Sequence, residues 1–431
     1  MHDVYNREAI ILDPRLNLTW KWLLTILFFG LGVSVLGDQI YLVALNVWLL
    51  SRTHSSLVVA GLWMLGPTAG LIFGTFVGGL ADRRDRRNTL IIANGIGAIA
   101  IGVIPFFHQV LWIYIAGLIA EGAQGLFAAA FRSYYMLLVP QNFWSQANSI
   151  RGGLSYGGMV LGPAIAGVFL AWGYPQQAIW LDALTFVFAS LTLLVLPRLN
   201  PHNSLDVSDR HSPYKWRDDL RMVGAFIKKE QRLRQIMIGF YGMVIFALAA
   251  GSQEVVFLRN VMDLSERTYA YVVSMSGVGY IIGVLVSLFV SRHIRPLLLL
   301  AISTIPSAVC YVIFSQSHTV IEAIGTLIGV NLFQAISNVT FTGIIQRTIP
   351  MQQIGRIIST IMAMVNGATL VTIFAGGLVA AQMGARFLMT VATLSALAST
   401  VWLGWACLRP WAIDEASRPF LDQQLHTHRR L

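Results

Sequence analysis

Stretches of roughly 20 apolar residues recur along this chain from end to end, each long enough to cross a bilayer as an α-helix. A segment in lipid must satisfy its own backbone N–H and C=O groups, so runs of this kind commit the chain to spanning helices. Composition agrees: 56% of the residues are hydrophobic and 12% charged, against about 25% charged in ordinary soluble domains. The pattern predicts an all-α integral membrane protein with twelve transmembrane helices, over 22–50, 57–80, 88–107, 111–131, 147–170, 178–197, 235–257, 269–290, 296–315, 320–342, 357–380 and 386–408.

The connections between the runs are short, with one exception. Residues 198–234 are polar and proline-bearing, with nine Lys and Arg, and divide the chain into 1–197 and 235–408, six spans each, followed by a tail over 409–431. Within that linker Trp216, Leu220, Val223 and Ile227 recur at helical spacing, with Arg217, Asp218, Arg221 and Lys228 between them. An amphipathic helix on the membrane surface has this pattern. The two halves read as a degenerate repeat, two pseudo-symmetric six-helix bundles. The basic turn Asp82-Arg83-Arg84-Asp85-Arg86-Arg87 after the second span has a weaker counterpart in Ser291-Arg292-His293-Ile294-Arg295-Pro296 after the eighth.

The net charge of +10 would suit a nucleic-acid partner, but its distribution does not. With the spans above, every Lys and Arg except Arg52, Arg259, Arg267 and Arg386 falls on one side of the membrane. That bias orients helices with basic loops and both termini in the cytoplasm, and no aromatic–basic interleaving accompanies it. Cys310 and Cys407 lie in apolar runs, as small core residues rather than a disulfide or metal pair. The first 20 residues carry Asp3, Glu8 and Asp13 and no apolar core, so no cleaved signal peptide is expected.

Six charges packed into 82–87 cannot enter hydrocarbon, so Gly78 to Leu90 must hold a tight turn joining two spans. Through Gly78, Leu80, Ala81, Asp82, Arg83, Arg86, Arg87 and Leu90 this stretch resembles the loop motif of the major facilitator superfamily, Gly-x-Leu-Ala-Asp-Arg-x-Gly-Arg-Arg/Lys-x-x-Leu, with Asp85 in place of the family's glycine. The resemblance implies an inner gate built on Gly78, Asp82, Arg83, Arg86 and Arg87. In the fifth span Gly158, Gly162, Pro163 and Gly167 resemble the superfamily's antiporter motif, Ala166 replacing one glycine. Small residues a turn apart let helices approach closely, and the proline frees a backbone carbonyl, so such a helix can bend; an ordinary packing seam is the competing account. Trp180 to Phe186, Trp216 to Arg234 and Gly355-Arg356-Ile357 add a likeness to the drug:proton antiporter branch that includes macrolide efflux proteins and the enterobactin exporter.

That branch often has Arg-x-x-Gln-Gly in span 4, where this chain has Glu121-Gly-Ala-Gln124-Gly125. The missing arginine turns attention to acids. Asp38 and Glu121 lie near the middle of spans 1 and 4, where a charge costs several kcal/mol unless paired or facing water. Asp182, Glu254 and Glu322 lie near predicted span ends, within reach of interfacial water, with structural and functional roles equally open. In the superfamily spans 1, 4, 7 and 10 line the central cavity, so the resemblance implies Asp38 and Glu121 as proton-coupling groups. It implies a substrate wall of these two with Gln124 and the polar stripe Asn331, Gln334 and Asn338 of span 10. Interhelical hydrogen bonding is the other account of that stripe.

Rival classes find little support. Gly153-Leu154-Ser155-Tyr156-Gly157 fits an esterase elbow, but that motif needs a preceding strand and a soluble α/β domain. The glycines Gly277, Gly279 and Gly283 lie inside a span, and no phosphate-binding Gly-x4-Gly-Lys-Ser/Thr occurs. His426 and His428 have a spacing that could bind a metal weakly, and read first as part of a solvated tail. The expectation is a non-enzymatic secondary transporter, acting as a monomer among membrane lipids. It needs no cofactor, resident metal or nucleic acid, and exports a bulky amphipathic small molecule (drug, macrolide or siderophore) from a bacterial cytoplasm in exchange for protons, with sodium not excluded. A lysophospholipid flippase or uptake symporter of the same fold, and a non-transporting sensor, remain the alternatives.

Overall fold

The computed structural model describes residues 20–83, 85–139, 143–198, 224, 231–349 and 354–409, without the side chains of 75–83, 145, 156, 347 and 354–356. The surface helix expected over 216–227 and the tail histidines lie outside this description. Among the described residues the chain is helical, with twelve helices long and apolar enough to cross a membrane.

Six belong to the first half of the sequence: α1 (Trp20–Thr53), α2 in two pieces (Ser56–Trp63 and Leu65–Arg83), α3 (Arg86–Val103), α4 (Val110–Leu138), α5 (Trp144–Ala171) and α6 (Pro175–Leu194). Six belong to the second: α7 (Gln231–Gly251), α8 (Glu266–Val290), α9 (Pro296–Ser315), α10 (Val320–Thr348), α11 (Ile354–Met383) and α12 (Ala385–Leu408). Two expected spans are not continuous. The second breaks at Met64, whose N–H bonds the carbonyl of Gly61 at 3.2 Å, one residue short of the α-helical partner. The seventh stops at Gly251, turns through Ser252 and Gln253, restarts at Glu254 and ends in a π-turn, Phe257–Val261.

The chain divides into two compact units: residues 1–53 with 65–211, and 54–64 with 212–431. Each unit packs the same way. In the first, α1 meets α5 and α6, α3 meets α4 and α6, and the second piece of α2 meets α4; in the second, α7 meets α11 and α12, α9 meets α10 and α12, and α8 meets α10. Pair for pair this is one bundle built twice, the structural form of the repeat read from the two basic turns. The first piece of α2 packs in the second unit, where Ala60 and Leu57 lie 2.9 and 3.0 Å from a Cβ placed on Gly377 of α11.

The charged turn is shorter than its sequence suggests. α2 runs to Arg83 and α3 begins at Arg86. Asp85, where the superfamily has glycine, is the N-cap of α3, its Oδ1 accepting from the N–H of Asn88 at 3.1 Å. Arg87 donates to the carbonyls of Leu193 and Leu194 (2.9 and 2.6 Å), which end α6. The side chains of Asp82 and Arg83, and that of any residue placed at Gly78, lie outside the described residues. Asp85→Ala should cost about 1 kcal/mol of local stability and Asp85→Gly only a few tenths, read as faster hydrogen exchange at the start of α3 in the alanine variant alone.

Candidate functional site

The mid-span acids of the first unit come together. Asp38, nineteenth residue of α1, is half-buried, and its Oδ1 accepts a hydrogen bond from Nε2 of Gln124 on α4 at 2.7 Å. A hydrogen bond of that length holds both side chains in place. Glu121 stands one turn before Gln124 on the same helix, exposed, its Oε2 3.5 Å from where a Cβ on Gly66 of α2 would stand. The glycine leaves that carboxylate room.

A third acid joins them. Asp182 of α6 is completely buried, and not at an interface with water as its place in the sequence suggests. Its Oδ1 accepts from Oγ1 of Thr185 at 3.2 Å, while Oδ2 is buried with no hydrogen-bond partner. Both Asp182 and Thr185 press on the backbone of Gly37, where any Cβ would collide with Asp182 Oδ1 and Thr185 Oγ1. Glycine beside Asp38 is thus what lets α6 bring a second aspartate to α1. Asp182 lies within electrostatic range of Asp38, Asp38 of Glu121, and the half-buried Tyr41 within range of all three. Among the described residues no Lys, Arg or His offsets this negative field, and no group of three His, Cys, Asp or Glu side chains is placed to hold a metal ion. The buried Asp182 and half-buried Asp38, with the exposed Glu121 beside them and no basic partner among the described residues, can lower their charge by taking up protons or a monovalent cation. Gln124→Ala should leave insertion intact and weaken any activity that depends on a fixed Asp38, by less than loss of Asp38 itself.

The glycines of α5 make a close seam with α1. A Cβ on Gly158 would lie 2.7 Å from Cγ1 of Val35 and 3.2 Å from its carbonyl oxygen, and one on Gly162 would overlap Cβ of Gln39. Pro163 lies inside the helix, and Gly167 is buried. The seam runs along the stretch of α1 from Val35 to Gln39, on either side of Asp38.

The α10 stripe divides in its roles. Asn331 bonds the carbonyl of Leu327 in its own helix at 3.0 Å, and Asn338 bonds Tyr280 Oη of α8 at 3.3 Å, an interhelical tie. Gln334, half-buried, makes no side-chain hydrogen bond with a described residue. Glu322 belongs to a capping box: its Oε2 accepts from the N–H groups of His318 and Thr319, and Thr319 Oγ1 accepts from the N–H of Glu322. The Thr-x-x-Glu pattern that announces such a cap is present in the sequence and separates this acid from the other four.

Comparison with known proteins adds a family. The Major Facilitator Superfamily model matches residues 27–372. The chain is 26% identical over 368 residues to the enterobactin exporter EntS of Salmonella typhimurium, covering 81% of this chain and 84% of that one. It is 26% identical over 195 residues to macrolide efflux protein A of Streptococcus pyogenes, covering 43% and 48%. A mutant of the nucleoside transporter NupG superposes with a TM-score of 0.72 at 14% identity, over 90% of this chain and all of that one.

Proposed function

The chain belongs to the Major Facilitator Superfamily, and from that premise we propose that it exports a bulky amphipathic small molecule across a bacterial cytoplasmic membrane in exchange for protons. That it is a multi-pass membrane transporter and not an enzyme follows from the family and the twelve spans. Direction, coupling ion and substrate class are the proposal. Its principal support is the cluster of Asp38, Glu121 and Asp182, acids in the middle of a helical bundle with no cationic partner among the described residues. Intramembrane carboxylates of this kind serve proton relays in transporters. Export is favoured by the relatives whose names describe efflux of a macrolide and of enterobactin.

On this reading both termini and the basic turns face the cytoplasm, and the bundles of residues 1–197 and 235–408 take part in alternating access. A proton on Asp38 or Glu121 leaves as the substrate binds beside Gln124, Asn331, Gln334 and Asn338. The stretch Gly78 to Arg87 serves as the inner gate, and Gly158, Gly162, Pro163 and Gly167 supply the flexible outer seal.

The test uses everted vesicles with a respiration-generated proton gradient and a pH-sensitive dye, challenged with macrolides, tetracyclines, cationic dyes and siderophores. Substrate-triggered proton movement from vesicles holding the protein, and not from empty ones, is the expected result. A sodium-dependent response replaces the coupling ion. Silence to every compound with correctly inserted protein overturns the antiport reading.

A further inference from the structure

The second unit holds an intramembrane acid that the transport scheme above does not use. Glu254 restarts the seventh span directly after the break at Ser252 and Gln253, both completely buried. Gln253 Nε2 donates to the carbonyl of Ser56 at 3.2 Å, while its Oε1 is buried with no hydrogen-bond partner. Two tyrosines from two other helices, Tyr269 of α8 and Tyr311 of α9, stand within electrostatic range of the Glu254 carboxylate. Tyr311 Oη is pinned at the break itself, 3.6 Å from where a Cβ on Gly251 would stand and 3.5 Å from the carbonyl oxygen of Ala247.

The described cations on or against this segment have partners other than Glu254, and Arg386 Nε is buried without one. Arg259, on the same segment, bonds the carbonyl of Leu264 and pairs with Glu266 at 3.5 Å. Arg386 of α12 lies over the Phe257 ring at 5.5 Å and bonds the carbonyl of Ser317 and the ring of His318. No described basic group offsets the charge of Glu254. Glu254 itself is half-buried, and an acid so placed without a described counter-ion can draw one from outside the protein. Val255 to Leu258 are each 3% exposed or less, and no described cluster of metal-ligating side chains surrounds the site. These surroundings suit a bare proton, which needs one carboxylate and polar neighbours, better than a metal ion that demands several oxygen ligands.

We propose that Glu254 is a second proton-binding site, set at the break in the first helix of the second unit, so that each half of the molecule carries a proton through the cycle. Asp38 and Glu254 each lie on the first span of their repeat, with Glu254 farther along its span than Asp38 is along α1. The part played in a cycle rests on the antiport reading; the binding of a proton at Glu254 does not.

The test is pH-difference infrared spectroscopy of the purified, reconstituted protein with the proton as the only ligand. The wild type should show protonated-carboxyl carbonyl bands that fall as pH is raised and return as it is lowered. Glu254→Gln should lose one component that Asp38→Asn and Glu121→Gln both keep. Tyr311→Phe, which removes only a hydroxyl, should move the pH midpoint of that component and serves alone if Glu254→Gln fails to insert. An identical band set in Glu254→Gln and wild type overturns the site. So does a midpoint unmoved in Tyr311→Phe where that variant stands alone, or a component that answers to sodium and not to pH. If the component behaves as stated while no compound triggers proton movement in vesicles, the antiport reading fails and the site stands.

Discussion

Asp38→Asn is expected to abolish substrate-triggered proton movement, lowering its rate by about 100-fold or more, the lower end of what a positioned proton-transfer group contributes. The amide keeps the shape of the side chain and can still meet Gln124 after an amide rotation, so the protein should insert and remain monodisperse. What it cannot do is gain or lose a proton. Substrate binding, followed by tryptophan quenching or a radiolabelled macrolide, should survive with a changed pH profile. Glu121→Gln should be milder, because Glu121 is exposed and makes no hydrogen bond with a described residue, whereas Asp38 is held at 2.7 Å by Gln124. Proton movement at the wild-type rate in Asp38→Asn would remove Asp38 from the coupling scheme and leave Glu121 and Asp182 as the candidates within the same cluster.

The second large effect concerns packing. Gly283→Ala should destabilise the second unit by about 1–3 kcal/mol, the usual cost of forcing atoms into a filled interior. An added Cβ there meets the carbonyl oxygen of Leu332 and lies 2.9 Å from Cβ of Ala335, both on α10. Backbone does not swing aside as a side-chain tip does, so the helices must separate. Gly325, on the facing helix α10, has nothing within 4 Å of its Cβ position. Gly325→Ala should therefore gain up to about 1 kcal/mol from helix propensity alone. The same substitution with opposite signs, read as thermal midpoints in detergent, tests the α8–α10 seam without reference to transport. Equal midpoints for the two variants would show that the seam tolerates a methyl group.

The fold is legible in the sequence where a single physical requirement acts locally. Apolar length announces a span, and all twelve appear near their expected places; Pro175 and Pro296 start helices, as proline does at a first turn. The breaks at Met64 and Gly251 are not legible in this way. Val58 to Leu65 is apolar straight through the first, and Val244 to Ala250 is apolar right up to the second.

The site is half legible. Asp38 and Glu121 stand out because a charge in mid-span needs a reason. The bond from Gln124 joins residues 86 positions apart, and no local pattern encodes it. Asp182 reads as interfacial from its place near a span end, but distance along a span says nothing about which way a side chain faces. Gly37, on another helix, is what buries it. Glu322 shows the reverse, since its role as a cap is written within four residues.

The divided second span has a consequence for how this chain can be taken apart. Ser56–Trp63 lies early in the sequence, yet its packing surface is supplied by α11, about 300 residues later. A fragment ending in the linker would contain a short apolar helix deprived of its partner, and a fragment beginning there would lack a piece of its own bundle. Whatever duplication produced two matching bundles, neither is now a free-standing copy. Until α11 has been made, Ser56–Trp63 lacks the surface it packs on.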